Sequence, residues 1–179
     1  MADSRSALIQ ILQLAYSGEL AAAYAYRGHA RSVRNPEERA RIRQIEEEEW
    51  HHRELVGELL SSLGAAPDPR REARAAVVGR TLGVLCHVAG WFVPMYGAGR
   101  LESRNIREYE VAAGFARDCG RTEMIDCLLG MAEVEWEHEA YFRSRVLSHP
   151  WSRRIAVWPQ PPAKETIRAA FSEELRQAN

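Results

Sequence analysis

Apolar side chains recur every three or four residues along most of this chain, and no stretch alternates with a period of two for long enough to predict a strand. The pattern predicts an all-α protein with four long core helices. The first core helix runs from about Ser4 or Ser6 into the low thirties, where Asn35-Pro36 interrupts the pattern. The second continues to about Leu63, and Gly64 is expected to end it in the left-handed conformation.

A mostly apolar stretch from about Arg71 to Tyr96 separates this first pair of core helices from a second pair. We expect it to form a helical crossover between the second and third core helices. The third core helix covers about Ala98 to Cys119 and ends at Gly120, and the fourth runs from about Thr122 to Leu147.

The chain after His149 differs in composition from the rest. It contains the proline-rich segment Pro159–Pro162 and then a short helical pattern from Lys164 to Gln177. We therefore predict one domain over residues 1–149 and a C-terminal extension over residues 150–179. The apolar residues of the short helix predict docking on the core helices or on a second chain, which would give a homodimer: Ile167, Ala170, Phe171 and Leu175.

Each core helix has one apolar stripe, and each stripe carries a carboxylate near its middle. The stripes are Leu8, Leu12, Ala15, Glu19, Ala22 and Tyr26; Ile42, Ile45, Glu49, His52, Val56 and Leu59; Met95, Ala98, Glu102, Ile106, Tyr109 and Ala113; and Leu128, Met131, Glu135, His138 and Phe142. The first and third stripes thus carry a single glutamate, and the second and fourth carry Glu-x-x-His. We expect all six polar side chains to point into the core.

Carboxylates that converge in an apolar core need a counter-charge, because a buried unpaired charge costs several kcal/mol. No lysine or arginine lies on the four stripes. Two divalent cations would balance four carboxylates, and the i, i+3 spacing allows glutamate and histidine to reach one cation. Oxygen-rich ligation with one histidine per metal favours iron, with manganese second, over zinc. The six predicted ligands are those of a ferritin-like four-helix bundle: Glu19, Glu49, His52, Glu102, Glu135 and His138.

The alternative is that these glutamates are solvated surface charges. The run Glu46–Glu49 alone is typical of a wet helix face, and a single Glu-x-x-His is a weak signal. Glu48 and His51 also make such a pair, about 100° round the helix and off the apolar stripe. The order of four sites on four apolar faces favours the two-metal interpretation.

Charge and cysteine content exclude other classes of function. The net charge is −1, from 24 basic and 25 acidic side chains, so no positive field is available to bind nucleic acid. Three cysteines without CxxC spacing predict neither a disulfide framework nor a rubredoxin-like domain, and they favour a reducing, cytoplasmic compartment. The first twenty residues do not have the pattern of a signal peptide.

Four segments between residues 8 and 147 resemble one family. They are Gly18-Glu19-Leu20-Ala21-Ala22-Ala23-Tyr24-Ala25-Tyr26-Arg27-Gly28-His29, Glu47-Glu48-Glu49-Trp50-His51-His52, Glu133-Val134-Glu135-Trp136-Glu137-His138, and Glu102 followed by Tyr109. This pattern is similar to that of the demethoxyubiquinone hydroxylases, ferritin-like di-iron proteins that hydroxylate a polyprenyl quinol precursor in ubiquinone synthesis.

The resemblance implies two iron ions held by the six residues named above. It also implies that Glu49 and Glu135 bridge the metals while Glu19 and Glu102 each cap one. Three features depart from the family pattern. Tyr16 and Glu108 stand where the family usually has histidine, and the tail after His149 has no recognised counterpart.

Two tyrosines near the predicted ligands, Tyr26 and Tyr109, are candidates for hydrogen bonding to the carboxylates or for electron relay. The alternative is that they only fill the core.

The resulting hypothesis is a di-iron monooxygenase that uses O2 to hydroxylate a quinol or another aromatic ring. The alternatives are a ferritin-like di-iron oxidase or peroxidase, and non-catalytic iron binding or storage. We predict that residues 76–97 form a buried crossover between the second and third core helices. Because a quinol substrate is lipid-soluble, the alternative for this stretch is peripheral membrane contact. Arg80, His87 and Pro94 within it argue against a membrane-spanning helix.

Overall fold

A computed structural model of the chain describes residues 2–177, all of whose regular structure is helical. This range contains six α-helices and two short 3-10 helices, Thr122–Met124 and Pro150–Arg153. The α-helices are α1 (Ala2–Ser32), α2 (Pro36–Ser62), α3 (Pro69–Leu85), α4 (Phe92–Asp118), α5 (Ile125–Ser148) and α6 (Glu165–Gln177). The prediction of an all-α protein, with a helix between the second and third core helices in chain order and a short C-terminal helix, is confirmed.

Local signals in the sequence account for the helix ends. The Asn35 side chain accepts hydrogen bonds from the backbone N–H groups of Glu37 (2.8 Å) and Glu38 (3.1 Å), with Pro36 at the first helical position of α2. Gly64 (φ +64°) and Gly120 (φ +75°) follow α2 and α4 in the left-handed region, as predicted.

The third core helix begins earlier than the sequence indicated, at Phe92 rather than at about Ala98. Pro94 does not break α4 because it lies in the first turn, where a backbone N–H has no partner within the helix.

The chain divides into two compact units, residues 9–94 and residues 1–8 together with 95–179. In the first unit, α3 packs very closely on α1. A Cβ atom at Gly79 would lie 2.3 Å from the carbonyl oxygen of Ala21, and one at Gly28 would lie 2.3 Å from the Cα of Gly83. The spacing Gly79-x-x-x-Gly83 therefore serves the close packing of α3 on α1.

A polar cluster also joins the three helices of the first unit. Arg53 of α2 forms an ion pair with Glu72 of α3 and donates a hydrogen bond of 2.6 Å to the carbonyl of Tyr16 in α1. Ser17 donates to the other oxygen of Glu72 at 2.8 Å. The guanidinium of Arg53 lies 3.6 Å from the centre of the Tyr16 ring.

The apolar crossover is much more exposed than a buried connection would be. In α3 only Gly79 and Gly83 are buried, whereas Val77, Val84 and the following Val88 are 64%, 68% and 79% exposed. The prediction of a buried crossover is therefore wrong for these side chains. Among the helices of residues 2–177, none is long and apolar enough to cross a membrane.

In the second unit the C-terminal extension packs on α4 and α5. Ile167 and Phe171 of α6 are buried, as expected for a docked helix. Ala170 and Leu175 lie outside the residues whose side chains the structure describes. The division into a domain over 1–149 and an extension over 150–179 stays a prediction.

Candidate metal centre

The first unit brings three of the predicted ligands together. Glu19 of α1 and Glu49 and His52 of α2 are buried, and each offers a ligand atom within 4.8 Å of the others. Glu49 and His52 are one helical turn apart, which places both side chains on the same side of α2. We call these three residues the first triad, and they could hold a metal ion.

The second unit contains a triad of the same composition. Glu102 of α4 and Glu135 and His138 of α5 are fully buried, and their ligand atoms also lie within 4.8 Å of one another. The Nδ1 atom of His138 is 3.6 Å from Oε2 of Glu135. This second triad could likewise hold a metal ion, and it has the same two carboxylates and one imidazole as the first.

Burial and charge repulsion both act on the second triad. Burial, and after it the charge of Glu135, hold the pKa of Glu102 well above its usual range. The same two causes raise the pKa of Glu108. This surrounding therefore favours the neutral carboxyl group, and a bound cation would favour the carboxylate.

Basic side chains are distributed differently from these acidic ones. No lysine or arginine is buried among the residues whose exposure the structure describes, although six buried glutamates and histidines belong to the two triads. Metal ions would place positive charge between the carboxylates of each triad.

The acidic run on α2 separates into one buried residue and three with solvent contact. Glu49 is fully buried, whereas Glu47 is exposed and Glu46 and Glu48 pair with Arg27 (2.7 Å) and Arg41 (3.0 Å). The off-stripe partner His51 is also exposed. The interpretation as solvated charge is therefore wrong for Glu49 and correct for Glu47.

Both candidate tyrosines are buried, Tyr26 in the first unit and Tyr109 in the second. The Tyr26 ring stacks against His29 with 6.5 Å between ring centroids. Their roles next to the carboxylates stay predictions, as do the roles of the six residues as ligands.

One polar neighbour of the second triad, Asn105, was not predicted from the sequence. Asn105 donates a hydrogen bond of 2.8 Å from Nδ2 to Oε2 of Glu102. The available signal was spacing, because Asn105 follows Glu102 by three residues, as histidine follows glutamate in α2 and α5.

The comparison with family models identifies one relationship. Residues 6–103 match the model described as "Ubiquinone biosynthesis protein COQ7", a range that contains Glu19, Glu49, His52 and Glu102 but ends before Glu135 and His138. No curated protein and no solved structure matches the chain. Since the matched range covers more than half of the chain and the predicted resemblance points the same way, the protein belongs to the COQ7 family of ubiquinone biosynthesis proteins, the demethoxyubiquinone hydroxylases.

Proposed function

We propose that the two triads together hold two iron ions in a ferritin-like four-helix bundle, and that the protein is a di-iron monooxygenase. Its substrates would be O2 and a quinol or another aromatic ring, as family membership suggests. The observation that carries the proposal is that each unit buries the same set of two carboxylates and one imidazole within 4.8 Å.

The donor set fits the proposed metals. Four glutamates supply four negative charges, which two divalent cations neutralise, and two neutral imidazoles add one nitrogen ligand per ion. Zinc in closed structural sites prefers four nitrogen or sulfur ligands, whereas iron and manganese accept oxygen-rich sets. Iron is our first choice because the proposed chemistry reduces O2.

Two bound iron ions would supply the reductive activation of O2 that ring hydroxylation requires. The residues of the chain prepare the surroundings. Asn105 holds one oxygen of Glu102 through its amide N–H group. Full burial of Glu102, Glu135 and His138 keeps water from the ligands. Because burial raises its pKa, Glu102 would release a proton when a cation binds.

We further propose that α3 and the residues after it touch the membrane that holds a lipid-soluble quinol. Exposed apolar side chains of this region include Val77, Val84 and Val88. Four arginines lie on α3, and its acidic residue Glu72 is already paired with Arg53. The arginines are Arg70, Arg71, Arg74 and Arg80. A basic helix with exposed valines is suited to the interface of an anionic bilayer.

Anaerobic loading with Fe(II) tests the proposed function. Metal content is measured on the wild type, on Glu19→Ala and on Glu47→Ala, whose exposed side chain makes it the matched control. We then measure O2 consumption with a methoxy-free quinol and with water-soluble aromatics. Glu19→Ala should lose iron and substrate-dependent O2 consumption while it keeps its helical circular dichroism, and Glu47→Ala should match the wild type.

Four results would count against parts of the proposal. Full iron content and turnover in Glu19→Ala would remove that residue from the site. O2 consumption that does not depend on any ring substrate would instead favour an oxidase, and consumption of hydrogen peroxide would favour a peroxidase. Equal sedimentation of the protein with neutral and anionic lipid vesicles, unaffected by Val84→Asp with Val88→Asp, would contradict membrane contact through α3.

A further inference from the structure

Residues 156–171, which we call the C-terminal strap, lie along α5, the helix that carries Glu135 and His138. The strap is anchored by Trp158, which is 7% exposed. Its ring packs edge to face against Tyr96 with 5.3 Å between centroids. A Cβ atom at Gly99 would lie 2.4 Å from Cζ2 of Trp158, so the glycine of α4 leaves room for the indole.

The polar end of Trp158 reaches a buried carboxylate beside a predicted ligand. Its indole N–H donates a hydrogen bond of 2.6 Å to Oε1 of Glu139, which follows His138 directly and is 1% exposed. Arg143 donates to the same oxygen at 2.7 Å. Loss of the indole N–H would leave a buried charged acceptor with one donor fewer, which is costly.

Arg143 also ties this carboxylate to the backbone of the strap. Its guanidinium donates to the carbonyl oxygens of Trp158 (3.1 Å) and Pro159 (2.9 Å) and lies 5.0 Å from the centre of the Trp158 ring. Side chain and backbone of Trp158 are thus both bonded to α5.

Further along the strap, three more bonds reach the same part of α5. The indole N–H of Trp136 donates to the carbonyl of Pro162 at 2.8 Å, and Lys164 forms an ion pair with Glu137. Arg168 donates to Glu133 at 2.8 Å. Positions 133, 136, 137 and 139 therefore all bond to the strap or to its anchor, on both sides of Glu135 and His138.

We propose that Trp158 is a positioning residue for the second triad, and this inference rests on the proposed metal site. A helix held at four side chains within two turns cannot rotate or slide without breaking several bonds at once. The strap thereby fixes the direction in which Glu135 and His138 present their ligand atoms. Partners that orient metal ligands from outside typically change metal affinity by about 10–100-fold when they are removed.

The strap lies outside residues 6–103, the range that the family model matches. Family membership therefore assigns no role to Trp158. Its role follows from the contacts with Glu139, Gly99 and Arg143 alone.

Cobalt(II) binding to the full-length, metal-free protein tests this role, because the ligand-field absorption of Co(II) reports coordination geometry at saturation. Trp158→Phe keeps a ring in the socket and removes the N–H donor. The control is Trp151→Phe, since Trp151 is 49% exposed and lies outside the strap. We expect Trp158→Phe to weaken Co(II) binding about 10-fold and to shift the absorption of the saturated protein. Trp151→Phe should match the wild type in both.

A second variant, Lys164→Ala with Arg168→Ala, removes ionic contacts from partly exposed side chains and covers the case that Trp158→Phe does not fold. It should change affinity and spectrum in the same direction as Trp158→Phe, by a smaller amount. Wild-type affinity and spectrum in every folded strap variant would overturn the positioning role. Glu135→Ala separates this failure from that of the metal site, because unchanged Co(II) binding in Glu135→Ala would refute the site itself.

Discussion

Asn105 and Glu102 lie one turn apart on α4 and are joined by a hydrogen bond of 2.8 Å from the amide of Asn105 to the carboxylate. An amide donor of this kind orients a metal-binding carboxylate and stabilises its charged form. We expect Asn105→Leu to weaken Fe(II) or Mn(II) binding about 10-fold, as measured by titration of the metal-free protein.

The matched control for Asn105 is Asn105→Gln, a longer side chain with the same donor group, which should bind metal more tightly than Asn105→Leu. Equal affinity of wild type and Asn105→Leu would show that this hydrogen bond does not contribute to metal binding.

Without bound metal, Glu102 should destabilise the protein at neutral pH. Burial and the charge of Glu135 raise its pKa in the folded chain, whereas in the unfolded chain the pKa is near the ordinary value of 4.5. Above that value the unfolded state releases a proton that the folded state keeps. The free energy of unfolding therefore falls as pH rises, by about 1.4 kcal/mol per pH unit for one proton, until the pH reaches the raised pKa.

Glu102→Gln removes this titration and cannot bind metal as a carboxylate. The metal-free variant should melt at a higher temperature than the metal-free wild type at pH 7.5, and the difference should shrink toward pH 5. Scanning calorimetry in the presence of a chelator measures both. A lower melting temperature for Glu102→Gln at every pH would contradict the raised pKa.

The periodic stripes predicted the polar core well, because burial on a helix repeats with the same spacing as the apolar residues. Of the stripe residues, only Leu59 and Ala98 are partly exposed. The glutamate and histidine positions followed from the same period, and so the candidate site needed no long-range information.

Features that depend on contacts between distant segments were not predictable in this way. Apolar composition favoured burial of the crossover, but α3 meets α1 through glycines and leaves its valines exposed. The pairing of Trp158 with Glu139 joins residues nineteen positions apart in two different elements. The residues around Trp158 and those around Glu139 contain no local sequence pattern that predicts this hydrogen bond.

Because α3 lies so close to α1, we expect one added methyl group at Gly79 to destabilise the fold. A Cβ atom at Gly79 would lie 2.3 Å from the oxygen and 2.7 Å from the Cα of Ala21, and these are backbone atoms that cannot rotate away. We expect Gly79→Ala to lower the free energy of unfolding by about 1–3 kcal/mol or more, measured by urea unfolding.

Gly97→Ala in α4 is the control for Gly79→Ala, because a Cβ atom at Gly97 would have no neighbouring atom within 4 Å. Replacement of a helical glycine by alanine should leave stability unchanged or raise it by up to about 1 kcal/mol. If the two variants were equally stable, α3 could not pack on α1 at the distance described.

The buried imidazole of His29 should lower the free energy of unfolding in mild acid. It is 3% exposed, and burial lowers its pKa from 6.5 to about 4. Between these values the unfolded chain binds a proton that the folded chain does not, so the free energy of unfolding falls as pH decreases from 6.5 toward 4. The full contribution of this one group is about 3 kcal/mol. Other groups titrate in the same range, so the test compares variants. Urea unfolding of His29→Gln should depend on pH less than that of the wild type, by this amount of free energy. The control is His87→Gln, whose exposed side chain should leave the pH dependence as in the wild type. Parallel curves for His29→Gln and wild type would mean that His29 takes up its proton equally in both states, which its burial does not allow.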